Sequence, residues 1–407
     1  MARLDYRRKR MLAIYAVALL LVLCCVILTA CNRDSGTFDV SGDTVAEPTH
    51  FIAKLMLGLN DSVKVFGWTV VAFTVILKLV LSPLDIWQRV IARRNAKAME
   101  RMRPQLEALA EKCGDDKQRY QQEQMALYKK EKYSMLGACL PSLVTLIVFI
   151  VLFAGFRQMV GYQFALDYKE SYDVYTAIYE AEMNASLKEA LEAAGLESYE
   201  DLPLTAEKAE AHAAAVDKAQ TAVYDHYFSE ENQNRRKFLW IHNVFVPDSW
   251  EEGVPDYLVV TGQEGFAMSK ITGVMKDEYN LVMGKVLGAD GMGYGSGSKW
   301  NGLLILPVLS VALSFLSQKL LTKSQGTPPP TAGGKGDNMQ ANMKMMQIFM
   351  PIMIGVFALF YSAAFALYTF TSSLVAIVFQ LIFALVNKLL DKRDERKQGG
   401  GFVKVGK

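Results

Sequence analysis

The sequence predicts an all-α integral membrane protein: a five-transmembrane-helix bundle with a cytoplasmic helical hairpin and a helical extracellular insertion. Three observations carry this. The apolar residues of the 407-residue chain collect in blocks at 11–30, 65–87, 136–156, 302–316 and about 345–387. The segments between the blocks are charged, and with opposite balance. One block holds a lysine, Lys78, near its middle. A helix needs ~20 mostly apolar residues to cross the ~30 Å hydrocarbon core. Each of the first four blocks meets or approaches that length. The fifth, at ~1.5 Å per residue, is about twice as long as one span requires and has to turn back on itself.

The first block, 1–30, reads as a lipoprotein signal peptide. Arg3, Arg7, Arg8, Lys9 and Arg10 precede an apolar run from Met11 to Ala30, the pattern of a secretory signal. The run closes on Leu28-Thr29-Ala30-Cys31, which resembles a bacterial lipobox. Cys31 is then the acylated first residue of the mature chain, and diacylation supplies the two chains that stable anchoring requires. The alternative is an uncleaved first membrane helix that ends in Cys. Residues 31–64 follow outside the cytoplasm. Within them Ile52, Leu55, Met56 and Leu59 recur at helical spacing, which predicts a short helix over 51–59 lying on the outer membrane surface.

The spans and loops follow in order: a first span at 65–88, a cytoplasmic hairpin at 89–134, a second span at 135–160 and an extracellular region at 161–299. A third span at 300–322, a cytoplasmic loop at 323–343, spans at 344–362 and 363–388, and a basic tail at 389–407 complete the chain. Arg89 to Gly137 carries 12 Lys/Arg against 7 Asp/Glu, whereas Gly161 to Lys299 carries 11 against 24. The first therefore belongs in the cytoplasm by the positive-inside rule. Counting spans from an outside N-terminus gives the same answer and leaves the tail in the cytoplasm.

In the hairpin, Gly114 suits a helix C′ position and Asp116 the next N-cap, so two antiparallel helices are expected. Met99, Met102, Leu106 and Leu109 make an apolar stripe that needs a partner. In the extracellular region, 165–230 is helical in pattern and broken at Gly195 and near Pro203, and Tyr257 to Thr261 reads as a strand. The glycine-rich stretches at 288–297 and 333–336 lack the spacing of a nucleotide loop. His50, His212, His226 and His242 form no HExxH pair, and the cysteines show no disulfide or metal spacing. A zinc-dependent intramembrane protease is thereby disfavoured, and no cofactor or nucleic-acid ligand is expected.

Lys78 is the residue that chemistry singles out. A lysine at a span centre costs roughly 2.5–3.5 kcal/mol on insertion scales, so such residues usually face a protein interior or a water-filled cavity and mark function; the alternative, snorkelling to the interface, is a long reach from mid-span. Thr74 and Ser82, at i−4 and i+4, share its face, and Asp85 lies seven residues on as a distant counter-ion. Polar residues recur in other spans: Thr145; Ser310, Ser314 and Ser317; Thr369, Thr371, Ser372, Ser373 and Gln380. Converging faces would outline a hydrophilic pocket inside the bilayer. A small hydroxyl taken singly is more often a packing aid.

Four stretches resemble the YidC/oxidase-assembly insertase family, in a form that bears a lipoprotein signal. They are Phe66-Gly67-Trp68 through Lys78 to Ser82-Pro83-Leu84; Pro104-Gln105 through Gly114-Asp115-Asp116 to Leu136-Gly137-Ala138-Cys139-Leu140-Pro141; Phe238-Leu239-Trp240-Ile241-His242-Asn243 with Leu304 to Leu309; and Met346 through Pro351 to Tyr368 and Ser372-Ser373-Leu374. The resemblance implies a five-helix bundle whose hydrophilic groove opens to the cytoplasm and to lipid. It places Lys78 at the position of the family's groove arginine, with Thr74 one turn above, and gives Tyr368 a part in substrate contact. The candidate groove is thus Lys78, Thr74, Ser82, Thr145, Ser314, Tyr368 and Ser372. This sequence departs from the family in three ways. Lysine keeps the charge but loses the arginine fork. The turn Tyr361-Ser362-Ala363-Ala364 lacks Pro and Gly, and the extracellular insertions have no assigned counterpart.

The function this implies is non-enzymatic: a membrane protein insertase and chaperone acting on nascent membrane proteins within the lipid bilayer. Ribosome and Sec translocon stand as candidate further partners, and no residue specifies either. Two rival readings are a small-solute or ion transporter that uses Lys78, and a lipoprotein receptor or scaffold acting through residues 161–299.

Overall fold

The structure is a computed structural model that describes residues 36–114, 116–131, 133, 135–250, 253–264, 270–288, 300–325, 352–353 and 355–399. The signal peptide, Cys31 and, of the span expected at 344–362, residues 344–351 and 354 lie outside these residues; within that span 355–360 is helical. The chain divides into two compact units. One comprises Met1–Val70, Ile147–Ile305 and Leu359–Ala366, the other Val71–Leu146, Leu306–Ala358 and Leu367–Lys407.

The protein is mostly helical. The principal helices are α1 (Phe51–Val63), α2 (Phe66–Cys113), α3 (Lys117–Lys130), α4 (Met135–Ser186), α5 (Ala206–Tyr227), α6 (Ile305–Gln325) and α7 (Ala363–Gly399). Among the described residues three helices are long and apolar enough to cross a membrane, at Phe66–Ile91, Ile147–Ser186 and Ala363–Val386; Ile305–Leu320 is a shorter apolar helix. At two of the expected boundaries the helix runs on without a break. The first span and the first hairpin helix are one continuous helix, α2, and the second span runs on through α4 into the region expected to be extracellular.

Continuity through Pro83 has a local cause. Proline has no N–H for the Leu79 carbonyl, four residues back. The Ser82 hydroxyl donates to that carbonyl at 2.8 Å. The hairpin turn forms as its residues dictate: Gly114 has φ 52, and the Asp116 side chain accepts from the Arg119 N–H. The apolar stripe has its partner within the hairpin. Ala98, Met99, Met102 and Leu106 bury against Tyr128, with Leu127 and Tyr133 packed beside them. The stripe therefore makes no demand for an external partner.

In the other unit, α1 begins at His50, whose ring Nδ1 accepts the Ile52 N–H. Ile52, Ala53 and Met56 are buried, whereas Phe51 and Leu55 face outward. Half of the face expected to meet the membrane thus packs on protein. Gly155 admits this contact: a Cβ there would lie 2.5 Å from Ile52 Cγ2. The region after α4 is helical and capped at Gly195 (φ 64), as its pattern predicts. Tyr257–Val260 is a helical turn rather than a strand, because the Asp256 side chain caps the Val259 N–H at 2.9 Å. A small parallel pair, β1 (Thr37–Asp39) with β2 (Lys270–Thr272), ties the N-terminal segment to this region.

A buried ion pair fastens the segment after α5 to α4. Arg236 lies 2.9 Å from Asp167 and 3.6 Å above the Tyr227 ring, and Gln163 donates to the same carboxylate at 2.7 Å. The two pair members are almost wholly buried. The pair need add little net stability, but removing one partner costs about 3–5 kcal/mol by stranding the other charge.

The loop from Phe238 to Trp250 and the approach to α6 carry unusual backbone. Leu239, Leu303 and Leu304 have φ of 54, 66 and 60, a region that costs an L-residue roughly 1–2 kcal/mol. Surrounding structure over-determines all three. Phe238 and Ile241 exchange backbone hydrogen bonds of 2.9 Å around Leu239. The Ser249 carbonyl accepts the N–H groups of Asn301, Gly302 and Leu303, and the Asp248 carboxylate accepts that of Leu304. Buried Asn301 is bonded in turn to Asn243 and to the Pro247 carbonyl.

Candidate functional site: an intramembrane polar face

The candidate site lies in the unit that contains Val71–Leu146. Lys78 is half-buried in α2, twelve residues past Phe66 and thirteen before Ile91, the ends of the apolar segment. Thr74, one turn before it, is fully buried. Among the described residues no carboxylate forms an ion pair with Lys78. Its electrostatic neighbours are Asp85 and Arg89, seven and eleven residues on. At 100° per residue Asp85 and Arg89 each project within about 20° of Lys78, one on either side of it. The sequence reading placed Arg89 in the hairpin and missed it; its spacing from Lys78 was the available signal.

Tyr368, in the last span, lies within electrostatic range of Asp85. Tyr368 is buried and is hydrogen-bonded to Ser372, one turn later. Arg89 lies 6.0 Å above the Phe383 ring, and its Nη1 is buried without a hydrogen-bond partner. A second polar seam joins α6 and α7. Ser314 Oγ lies 3.0 Å from Ser373 Oγ, and Gln380 donates to Ser317 at 3.1 Å. Gln380 Oε1 is buried with no partner.

Of the residues singled out from sequence, Lys78 and Thr74 share one face of α2, and Tyr368 and Ser372 share a hydrogen bond in α7. Ser314 meets Ser373, the neighbour of the expected Ser372. The Ser82 hydroxyl is engaged by the Leu79 carbonyl beside Pro83. Thr145 is in α4, and its side chain lies outside the described residues. The arrangement offers fixed positive charge, hydroxyls and spare hydrogen-bonding capacity within apolar helices. That chemistry can solvate polar groups taken out of water, and it contains no nucleophile–base pair.

Comparison with known proteins agrees in kind. The chain is 38% identical over 109 residues to the membrane protein insertase YidC of Ectopseudomonas mendocina, covering 27% of this chain and 18% of that protein. It is 42% identical over 109 residues to that of Bordetella pertussis, with the same coverage. It is 37% identical over 125 residues to that of Stenotrophomonas maltophilia, covering 28% and 21%. The matched segments thus span about a fifth of each relative's length. The family model described as 60Kd inner membrane protein matches residues 58–205 and 218–390. That match includes all but 206–217 of the region for which the sequence reading assigned no counterpart. With most of its length matched, the chain belongs to the 60Kd inner membrane protein family.

Proposed function

We propose that this protein is a membrane protein insertase: it accepts polar segments of nascent membrane proteins into an intramembrane groove and releases their apolar segments into lipid. The observation that carries the reading is Lys78, a lysine in mid-span with no ion-pair partner among the described residues and with Thr74 buried on its face. The names of the relatives support it. Lysine attracts an acidic segment as a point charge without demanding a fixed geometry. The groove lowers the cost of removing the segment's polar groups from water. We assign the groove to Lys78, Thr74, Ser82, Thr145, Ser314, Tyr368 and Ser372, and add Asp85, Arg89 and Ser373.

In the same proposal the chain has five spans in a bacterial plasma membrane. Its mature N-terminus is acylated at Cys31 and lies outside, the hairpin and basic tail are cytoplasmic, and residues 161–299 are extracellular. Clients, and any ribosome or Sec translocon, would be met from the cytoplasmic side. The test is rescue of a bacterial host depleted of its own insertase, with insertion of a short single-span client scored by protease protection. Wild type and Lys78→Arg should rescue and Lys78→Ala should not. A well-expressed wild type that inserts no client, coupled with Lys78-dependent solute flux in liposomes, would favour the transporter instead.

A further inference from the structure

The surface formed by Trp68, the Leu239–Trp240 turn, Trp250 and the stretch Trp300 to Ile305 is unlike a water-facing loop. Leu239 is 62% exposed, Trp250 68%, Trp68 54% and Leu303 48%, with Trp240, Trp300 and Ile305 also outward. Turns that need positive φ ordinarily take glycine or asparagine, which adopt it at little cost. Here Leu239, Leu303 and Leu304 adopt it, and two of the three present their side chains outward. The supporting groups beneath are fully committed: Asn243, Asp248 and Asn301 are buried and bonded to the backbone of the same loops. Strain held in place by a buried network, with apolar side chains as the outcome, points to a use for those side chains.

Covalent continuity says what they meet. Trp68 is the third residue of the apolar segment Phe66–Ile91, and Leu303 lies two residues before the apolar helix Ile305–Leu320. Both therefore sit within one helical turn of a bilayer boundary. Phe238 brings the Leu239 turn to that level: its ring is T-shaped against Trp68 at 5.3 Å, and Gly67 leaves room for it, since a Cβ there would lie 2.1 Å from Phe238 Cδ2. The Ser249 carbonyl, bonded to 301–303, does the same for Trp250. We infer that this surface is a lipid-docking platform: the leucines enter the edge of the acyl region and the tryptophans lie among the headgroups, holding the loop unit on the bilayer apart from the spans. Tryptophan's amphipathic ring favours that depth. The inference rests on the apolar helices being spans and not on the insertase reading.

The test uses the full chain in nanodiscs of phosphatidylcholine and phosphatidylglycerol, with Trp68, Trp87, Trp240 and Trp300 replaced by Phe so that Trp250 alone reports. Lipid brominated at acyl carbons 6 and 7 should quench Trp250 emission by about half, while aqueous iodide quenches it little. Strong iodide quenching with no bromolipid effect would overturn the platform, as would protection from both quenchers, which signals a protein partner or a second copy. Should the single-tryptophan chain not fold, the emission difference between wild type and Trp250→Phe reads the same quantity. In a second arm, Leu239→Asn with Leu303→Asn relieves the backbone strain. The unfolding midpoint should hold or rise while bromolipid quenching of Trp240, as the sole tryptophan, falls more than twofold. Unchanged quenching in that arm would also count against the proposal.

Discussion

In the unit containing Ile147–Ile305, Arg236 is held by Asp167, Tyr227 and a backbone carbonyl, and Asn243, Asp248 and Asn301 are bonded in full. In the unit containing Val71–Leu146, Lys78 lacks an ion-pair partner among the described residues, and Arg89 Nη1 and Gln380 Oε1 are buried and unbonded. The contrast follows from cost. An unpaired buried charge destabilises any fold, and the Arg236–Asp167 pair avoids that cost, although His50 Nε2, Arg235 Nε and Ser362 Oγ of the same unit are buried with no hydrogen-bond partner. If the proposed insertase reading holds, a membrane helix that keeps capacity in reserve bears that cost where an incoming chain relieves it. On the proposed reading, the closed Arg236–Asp167 pair serves shape and the unpaired Lys78 serves clients.

The largest effect should come from breaking the closed network. Arg236→Ala is expected to cost about 3–5 kcal/mol by stranding Asp167. That corresponds to a fall of about 10 °C in the unfolding midpoint in detergent; a midpoint within 2 °C or so of wild type would erase the contrast. Next, Gly67→Ala would force a Cβ into the Phe238 ring, and overpacking of this kind costs about 1–3 kcal/mol. The same thermal scan should register it.

On the open side the expectation reverses. Lys78→Ala should leave the unfolding midpoint unchanged or raise it, yet reduce insertion of a client with an acidic tail by about tenfold, equivalent to about 1.4 kcal/mol. A loss of stability equal to the loss of activity would make Lys78 a structural group and blur the two regions. The α6–α7 seam is a smaller matter. A double-mutant cycle on Ser314→Ala and Ser373→Ala should return a coupling of about 0.6 kcal/mol, the usual scale for such bonds in membranes.

The smallest effect expected is a pH slope. Burial lowers His50 below its ordinary 6.5, and burial with nearby Lys237 does the same for His242. The unfolded chain then takes up these protons first as pH falls. Stability of this unit is therefore full above about pH 6.5 and declines below it, until the folded-state values are passed. His50→Gln and His242→Asn should flatten the slope of midpoint against pH between 6.5 and 5 or so.

Much of this was legible in the sequence where the determining energy is local. Apolar runs set the helices at 66–91 and 363–386, because the transfer of each residue is counted along the chain. Gly114 and Asp116 set the hairpin turn through their own backbone and side-chain preferences. Lys78 stood out because its cost is carried by one side chain in a known setting.

What only the tertiary structure decided involves partners far apart in the chain. The turn before α7 has neither Pro nor Gly, yet it forms, because the Ala363 and Ala364 N–H groups donate to the carbonyls of Val246 and Val244. Those bonds satisfy helix-start donors that no local cap supplies. Tyr128 and Tyr133 used up the hairpin's apolar stripe, and Ser373 rather than Ser372 met Ser314. A sequence states what each segment can bury or bond. Which groups become neighbours depends on packing and register between helices, and a single step of 100° changes the answer.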